Sequence, residues 1–315
     1  MKKALTKLAV VAAVTAAAVV PLSANAVAIG MADLAILNLF LVNAVTGQPV
    51  TTGITINGTQ NTGNASSDYN GVGGTGTGSS NITLAGNVDV KYRLAGAPAG
   101  AIAPFYAGGI ENNTSTHIST AIANYGLGDM FISGTAIGAG GTQGLTRANT
   151  AAMGPINTGG ANSTIQNSAD VTANFTTSST MNVFFHLDYD IFVKTFVSLL
   201  AGETAAATAS TGWGLNIADN TTGNQNFFSW NPVELARNFS TFSDAPGAQR
   251  LYQSIGGIDS PIGLLTAGHN YSLTISQNSN ASVRDLARAI PEPGSLALLG
   301  LGLMGLAAMR RRSVK

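Results

Sequence analysis

The sequence predicts a mainly β protein: a two-sheet β-sandwich body with one long polar Gly/Thr/Asn-rich loop, flanked by an N-terminal signal helix and a short C-terminal transmembrane helix. Three observations predict it. Apolar residues recur with period two in several segments, as half-buried strands require. Turns bearing Gly, Asn and Asp separate those segments, and few helical patterns lie between them. Two apolar runs, Leu8 to Val20 and Ser295 to Met309, sit near the chain ends beside clusters of basic residues.

From the N-terminus, Lys2, Lys3 and Lys7 precede the 13-residue apolar run, then Pro21 and Ala24-Asn25-Ala26. This is the layout of a secretory signal peptide, with the small residues Ala24 and Ala26 at the positions a signal peptidase reads. The expected division is therefore 1–26 signal peptide, 27–288 exported body and 289–315 C-terminal signal. Within the body, Leu34 to Val42 carries apolar residues on both sides of a strand, so both faces should be covered. From residue 57 to 83, 21 of 27 residues are Asn, Gly, Thr or Ser, too polar to bury and rich in glycine, which predicts a mobile low-complexity loop.

Asn87 to Leu94 alternates strictly and predicts a strand. From Ala95 to Ile165 neither period wins, which suggests an insertion packed on the sandwich, with a short helix over Ser115 to Tyr125. Asp170 to Thr176 alternates with Val171, Ala173 and Phe175 inward. Met181, Val183, Phe185, Leu187, Tyr189 and Ile191 share a face opposed by Asn182, His186, Asp188 and Asp190. Trp213, Leu215 and Ile217 form a shorter strand before the turn Asp219 to Gly223. Pro232 to Asn238 suits a turn or two of helix, since proline fits a first helical position. Tyr271, Leu273 and Ile275 close the body with another alternating strand.

The C-terminus reads Pro291-Glu292-Pro293, an apolar helix over 295–309, then Arg310-Arg311-Arg312. Fifteen helical residues reach about 22 Å against a hydrocarbon core of about 30 Å, which suits temporary membrane residence better than permanent anchoring. The arginines stay on the cytoplasmic side by the positive-inside rule, placing the body outside. These parts, in this order, resemble the PEP-CTERM sorting signal of Gram-negative bacteria that make extracellular polysaccharide. The resemblance implies recognition and cleavage by a membrane-embedded exosortase near Pro291, Glu292 and Pro293, then release to or attachment at the cell surface. The body, through Asn64-Ala65-Ser66-Ser67, Trp230-Asn231-Pro232 and Gly268-His269-Asn270-Tyr271 among other segments, resembles the exosortase-dependent surface-associated proteins, a likeness that implies a surface role and no reaction.

Charge and composition exclude several functions. The chain has 15 basic and 15 acidic residues, but between Val27 and Ile290 it has eight basic and fourteen acidic ones, a net charge of −6. Nucleic-acid binding needs clustered Lys and Arg, which this body lacks. The absence of cysteine removes disulfide scaffolds, thiolate metal sites and cysteine nucleophiles.

Candidate chemistry is sparse. His186, Asp188 and Asp190 fall on one strand face and could present an imidazole and two carboxylates to a metal, as a secreted metal-dependent hydrolase requires; a solvated sandwich face shows the same alternation, and that reading is preferred. Asp68-Tyr69-Asn70-Gly71 and Asp219-Asn220 carry calcium-type oxygens, though turns use the same residues for local hydrogen bonds. Gly71 to Gly76 has dinucleotide-loop spacing without the strand and helix that motif needs. Trp213 and Trp230, with Phe227 and Phe228, would make a sugar platform for a secreted carbohydrate-binding module if exposed together, or strand core if not. The expectation is a non-enzyme without cofactor: an exported surface or matrix structural protein, handled by signal peptidase and exosortase and associated with exopolysaccharide.

Overall fold

The computed structural model describes residues 27–56, 59–69, 72–82, 88–95, 106–107, 110–111, 125–134, 136–137, 141–153, 157–168, 175–198, 203–243 and 248–287. The expected signal peptide, the C-terminal helix and residues 115–124 of the expected short helix lie outside them. The described residues form 18 strands and no helix. In chain order these are β1 (Val27–Asn43), β2 (Ile54–Thr55), β3 (Thr59–Tyr69), β4 (Val72–Ile82), β5 (Val88–Ala95), β6 (Tyr106–Ala107), β7 (Ile110–Glu111), β8 (Tyr125–Gly134) and β9 (Thr142–Met153). They continue with β10 (Asn157–Ser168), β11 (Phe175–Thr177), β12 (Met181–Ser198), β13 (Glu203–Asp219), β14 (Asn224–Trp230), β15 (Arg237–Ser243), β16 (Ala248–Asp259), β17 (Gly263–Leu265) and β18 (Asn270–Ala287).

Two antiparallel sheets stack as a sandwich. The first has seven strands in the order β16-β12-β1-β9-β8-β5, with β17 also on β12. The second has nine, β14-β13-β18-β10-β3-β4, with β15 on β13 and the short β11 and β2 beyond β18. Strand β9 lies over β10 and β18, and β1 over β18 and β13, so the centres of the sheets face each other. β1 is central, paired with β12 on one side and β9 on the other, and its two faces are covered as the apolar sequence predicts. One face sends Leu34, Ile36, Leu39 and Leu41 into the inter-sheet core. The other buries Ile29 and Met31 beside Leu127 and Phe192.

The inner faces differ along the sandwich. Around Phe185, Leu187, Trp213, Leu215, Tyr271 and Leu273 the core is filled by large side chains. Toward the start of β1 it thins to Ala28, Ala152, Ala205 and Ala207 with Val197 and Val283, and to Ala148 against Ala281. A Cβ built on Gly30 would lie 2.6 Å from the carbonyl oxygen of Thr208 on the opposite sheet, so backbone meets backbone there. Polar groups bridge the sheets in this thin region. Gln277, buried on β18, donates from Nε2 to Leu34 O at 2.8 Å, to Thr146 Oγ1 at 3.0 Å and to Gly144 O at 3.2 Å, while Thr146 Oγ1 and Ser279 Oγ are 2.8 Å apart.

Three expectations need correction. Most of the polar stretch 57–83 is a hairpin: β3 and β4 pair from Thr59 with Ile82 to Tyr69 with Val72, and β3 joins the sheet through β10. On β3 the inward Gly63, Ala65 and Ser67 are small, Ala65 packing under Met130 and Ile132, so a polar sequence suffices where the sheets lie close. The stretch 95–165 supplies β8, β9 and β10, integral strands of the two sheets rather than an insertion. Pro232 to Leu235 is one turn, closed by Leu235 N donating to Pro232 O at 3.2 Å, and β15 starts directly after it. Of the expected strand 170–176, Phe175 and Thr176 belong to β11 and residues 170–174 lie outside the described residues.

Candidate functional sites of the body and the sorting segment

The alternation of β12 turns Val183, Phe185, Leu187, Tyr189 and Ile191 inward and leaves Asn182, His186, Asp188 and Asp190 on the outer face. His186 pairs in register with Asp259 of β16 and Asp188 with Gly257. His186 Nδ1 lies 2.6 Å from Asp259 Oδ1, and Nε2 lies 3.3 Å from Asp188 Oδ1. Phe40 of β1 flanks the imidazole with ring centroids 5.3 Å apart. Gly257 leaves room for this pair, since a Cβ there would sit 3.0 Å from Asp188 Oδ1. The structure thus joins two of the three residues picked from β12 and adds Asp259, which sequence spacing could not reveal because it arrives by strand pairing. Among the described residues, no group of three or more His, Asp or Glu side chains is arranged to hold a metal ion.

Asp219 ends β13 at a turn and is buried. Its Oδ1 accepts from the backbone N–H of Thr221 at 3.0 Å and of Thr222 at 3.3 Å, and His269 Nδ1 lies 2.9 Å from Oδ2. Burial pushes this carboxyl upward, but hydrogen bonds from His269, from the Thr222 side chain and from the two backbone amides outweigh it and hold the carboxyl below its ordinary value. The oxygens that could have ligated calcium are thus taken up by the turn and by His269. The neighbouring Asn220 donates its backbone N–H to Asn270 O at 2.8 Å. In the other calcium-type segment, Asn70 and Gly71 lie outside the described residues, and Val72 to Gly76 form strand rather than a phosphate loop.

Trp213 and Trp230 are 5% and 8% exposed and meet edge to face, ring centroids 5.2 Å apart at 81°. Both are core residues. Phe227 and Phe228 are half-buried against that core, so the aromatic platform that a carbohydrate-binding module would use is absent at these positions.

The outer face of the nine-stranded sheet has a different chemistry. Directly paired residues share a face, and the registers set Asn280, Ser210 and Asn238 in one row across β18, β13 and β15, with Ser66 of β3 on the same face. The next row sets Asn278 beside Gly212, with Asn64 of β3 on the same face. Neither row carries a charge. Asn64, Ser276, Asn278 and Ser282 are exposed. Adjacent strands lie about 4.8 Å apart, so Asn280, Ser210 and Asn238 on β18, β13 and β15 set amide and hydroxyl groups in a row at that spacing.

The body continues directly into the C-terminal signal, since β18 ends at Ala287 and the proline pair begins at Pro291. Residues 289–312 match the family model of the PEP-CTERM protein-sorting motif. This chain carries a PEP-CTERM sorting signal. The motif contains Pro291, Glu292, Pro293, Arg310, Arg311 and Arg312, and supports an exosortase-sorted surface protein. The chain has no match among curated proteins or among solved structures, and the resemblance of the body to exosortase-dependent surface-associated proteins therefore has no counterpart there. The positions of the PEP-CTERM residues, of Ala24 and Ala26 and of the apolar helix 295–309 lie outside the described residues. Within the described residues no helix is long and apolar enough to cross a membrane.

Proposed function

We propose that this chain is the precursor of a non-enzymatic structural protein of the cell surface or extracellular matrix. The PEP-CTERM motif at residues 289–312 carries the reading. Export begins with the signal peptide through the general secretion route, and signal peptidase cuts after Ala26. The helix 295–309 then holds the precursor in the inner membrane, Arg310, Arg311 and Arg312 remaining on the cytoplasmic side. Exosortase cleaves near Pro291, Glu292 and Pro293 and delivers the sandwich to the surface. Matrix contact is made through the outer face of the nine-stranded sheet, where Ser, Thr and Asn groups lie between the charged Asp68 and Arg284 positions and the sheet's far end and suit hydrogen bonding to the hydroxyls of exopolysaccharide. Individual hydrogen bonds exchanged with water contribute only about 0.5–1.5 kcal/mol, so binding to a polymer depends on many of them acting along one chain.

Expression of an internally tagged protein in cells with and without exosortase tests this. The tagged protein should be shorter and at the surface or outside when exosortase is present, and longer and membrane-associated when it is absent. Equal size and location in both cells would remove the proposal.

A further inference from the structure

The seven-stranded sheet ends on one side at β5 and on the other at β16. An open edge offers unpaired backbone donors and acceptors, and proteins guard such edges with Lys, Pro, bulges or short strands. β5 has these protections: its sequence carries Lys91 and Arg93, and its pairing with β8 shifts register between Val90 and Arg93. β16 does not. It pairs with β12 without interruption from Ala248 to Asp259, contains neither lysine nor proline, and confines its charges to Arg250 and Asp259. Among the described residues no strand pairs its far edge.

The same rim is unusually apolar. Of the seven large hydrophobic residues exposed among the described residues, four lie on β16, β17 or the link between them: Leu251, Ile255, Ile262 and Leu264, at 50% to 69% exposure. Exposed apolar residues gathered in one place mark contact surfaces. The inner face of β16 is already occupied, with the Arg237 guanidinium stacked 3.9 Å over the Tyr252 ring and Tyr189 Oη 3.2 Å from Ser254 Oγ. The outer face, carrying Leu251, Gln253 and Ile255, is open.

The geometry points to a second copy of this chain as the occupant, paired antiparallel β16 to β16 about a two-fold axis at Gln253. A two-fold perpendicular to the sheet sets each residue opposite a same-face residue of the partner, because side chains alternate with period two. With Gln253 opposite itself, Leu251 meets Ile255 of the other copy and Ile255 meets Leu251, giving two apolar cross-strand pairs on the open face. On the inner face Ala248 meets Ile258, Tyr252 meets Ser254 and Arg250 meets Gly256. No like charges are opposed. Moving the axis to Ser254 sets Leu251 against Gly257 and Gln253 against Ile255, and moving it to Ile255 sets Leu251 against Asp259. The register at Gln253 therefore matches apolar with apolar, and it joins the two seven-stranded sheets edge to edge.

The absence of cysteine makes this register measurable. Residues directly opposite in an antiparallel pair have Cα atoms about 4.5–5.5 Å apart, within disulfide reach, whereas Gln249 of the two copies would be separated by eight residues, about 27 Å. Gln253→Cys and Gln249→Cys, both at exposed positions of β16, should be expressed in exporting cells and run without reductant. The expected result is a dimer for Gln253→Cys that reductant returns to monomer, and monomer for Gln249→Cys. In sedimentation, the unsubstituted protein should be dimeric, Ile255→Lys monomeric, and Val45→Lys, on the exposed β1–β2 turn, still dimeric. A monomer at every concentration, no crosslink at Gln253→Cys, or equal crosslinking at both positions would each overturn the proposal. None of these readouts depends on exosortase, so the pairing can fail while the sorting reading stands.

Discussion

At the scale of single residues, the polar groups between the sheets have consequences that their hydrophilicity conceals. Gln277 is 3% exposed and ties β18 to both β1 and β9. Replacing it with Leu would leave the carbonyls of Leu34 and Gly144 without that donor in a dry interior, at a cost of about 1–3 kcal/mol. Urea unfolding of the purified Gln277→Leu variant should show a lower midpoint with little change in slope, and an unchanged midpoint would mean that the bridge contributes nothing. Asp219 gives a pH dependence whose sign follows from its lowered pKa. The unfolded chain has an ordinary carboxyl near about 3.9, so below that value the unfolded state binds the proton more readily than the folded state. The contribution of Asp219 is complete above the unfolded value and fades as pH falls through the lower folded one. Unfolding midpoints measured from neutral to strongly acid pH should therefore fall more steeply in the unsubstituted protein than in Asp219→Asn. Parallel curves would contradict this role.

At the scale of elements, the strands legible in the sequence are those whose inward residues are large. β12 and the first part of β18 alternate between aromatic or aliphatic and polar residues, and their inward set, Val183, Phe185, Leu187, Tyr271, Leu273 and Ile275, is the core. β3, β9 and the first half of β13 were hidden because their inward residues are Ala65, Ala148, Ala205 and Ala207, which hydropathy barely separates from the Thr and Ser beside them. Close approach of the sheets at Gly30 requires such residues. The outward triad was legible as far as His186 and Asp188, while Asp259 came from a strand 71 positions beyond Asp188 in the chain. The spacing of the sheets also makes a prediction. Ala281 faces Ala148 and lies beneath Gly30, so Ala281→Leu should cost about 1–3 kcal/mol through overpacking, whereas Asn278→Leu, on the exposed outer face of the same strand, should stay within about 0.5 kcal/mol. Equal effects in thermal unfolding would mean that the two faces of β18 are not distinguished by packing.

At the scale of the whole molecule, charge connects the fold with maturation. The full chain is formally neutral with a pI of about 6.8, because the basic ends balance an acidic body. Lys2, Lys3 and Lys7 belong to the first segment, and Arg310, Arg311, Arg312 and Lys315 to the last. The body from Val27 to Ile290 carries −6, and a form keeping either end carries −3. Low charge suits the sandwich, since the outer rows of Ser and Asn leave few positions where charges of one sign would crowd, and the remaining acidic residues include Asp188, Asp219 and Asp259, which face histidines. Trimming at both ends should therefore take the protein through three charge states without disturbing the described strands. Isoelectric focusing of cell fractions should resolve a precursor near neutrality, intermediates below it, and a final form lowest of all, with intact mass assigning which end each intermediate has lost. A surface form that still focuses near 6.8 would show that both ends are retained, and would separate display of this body from processing of its termini.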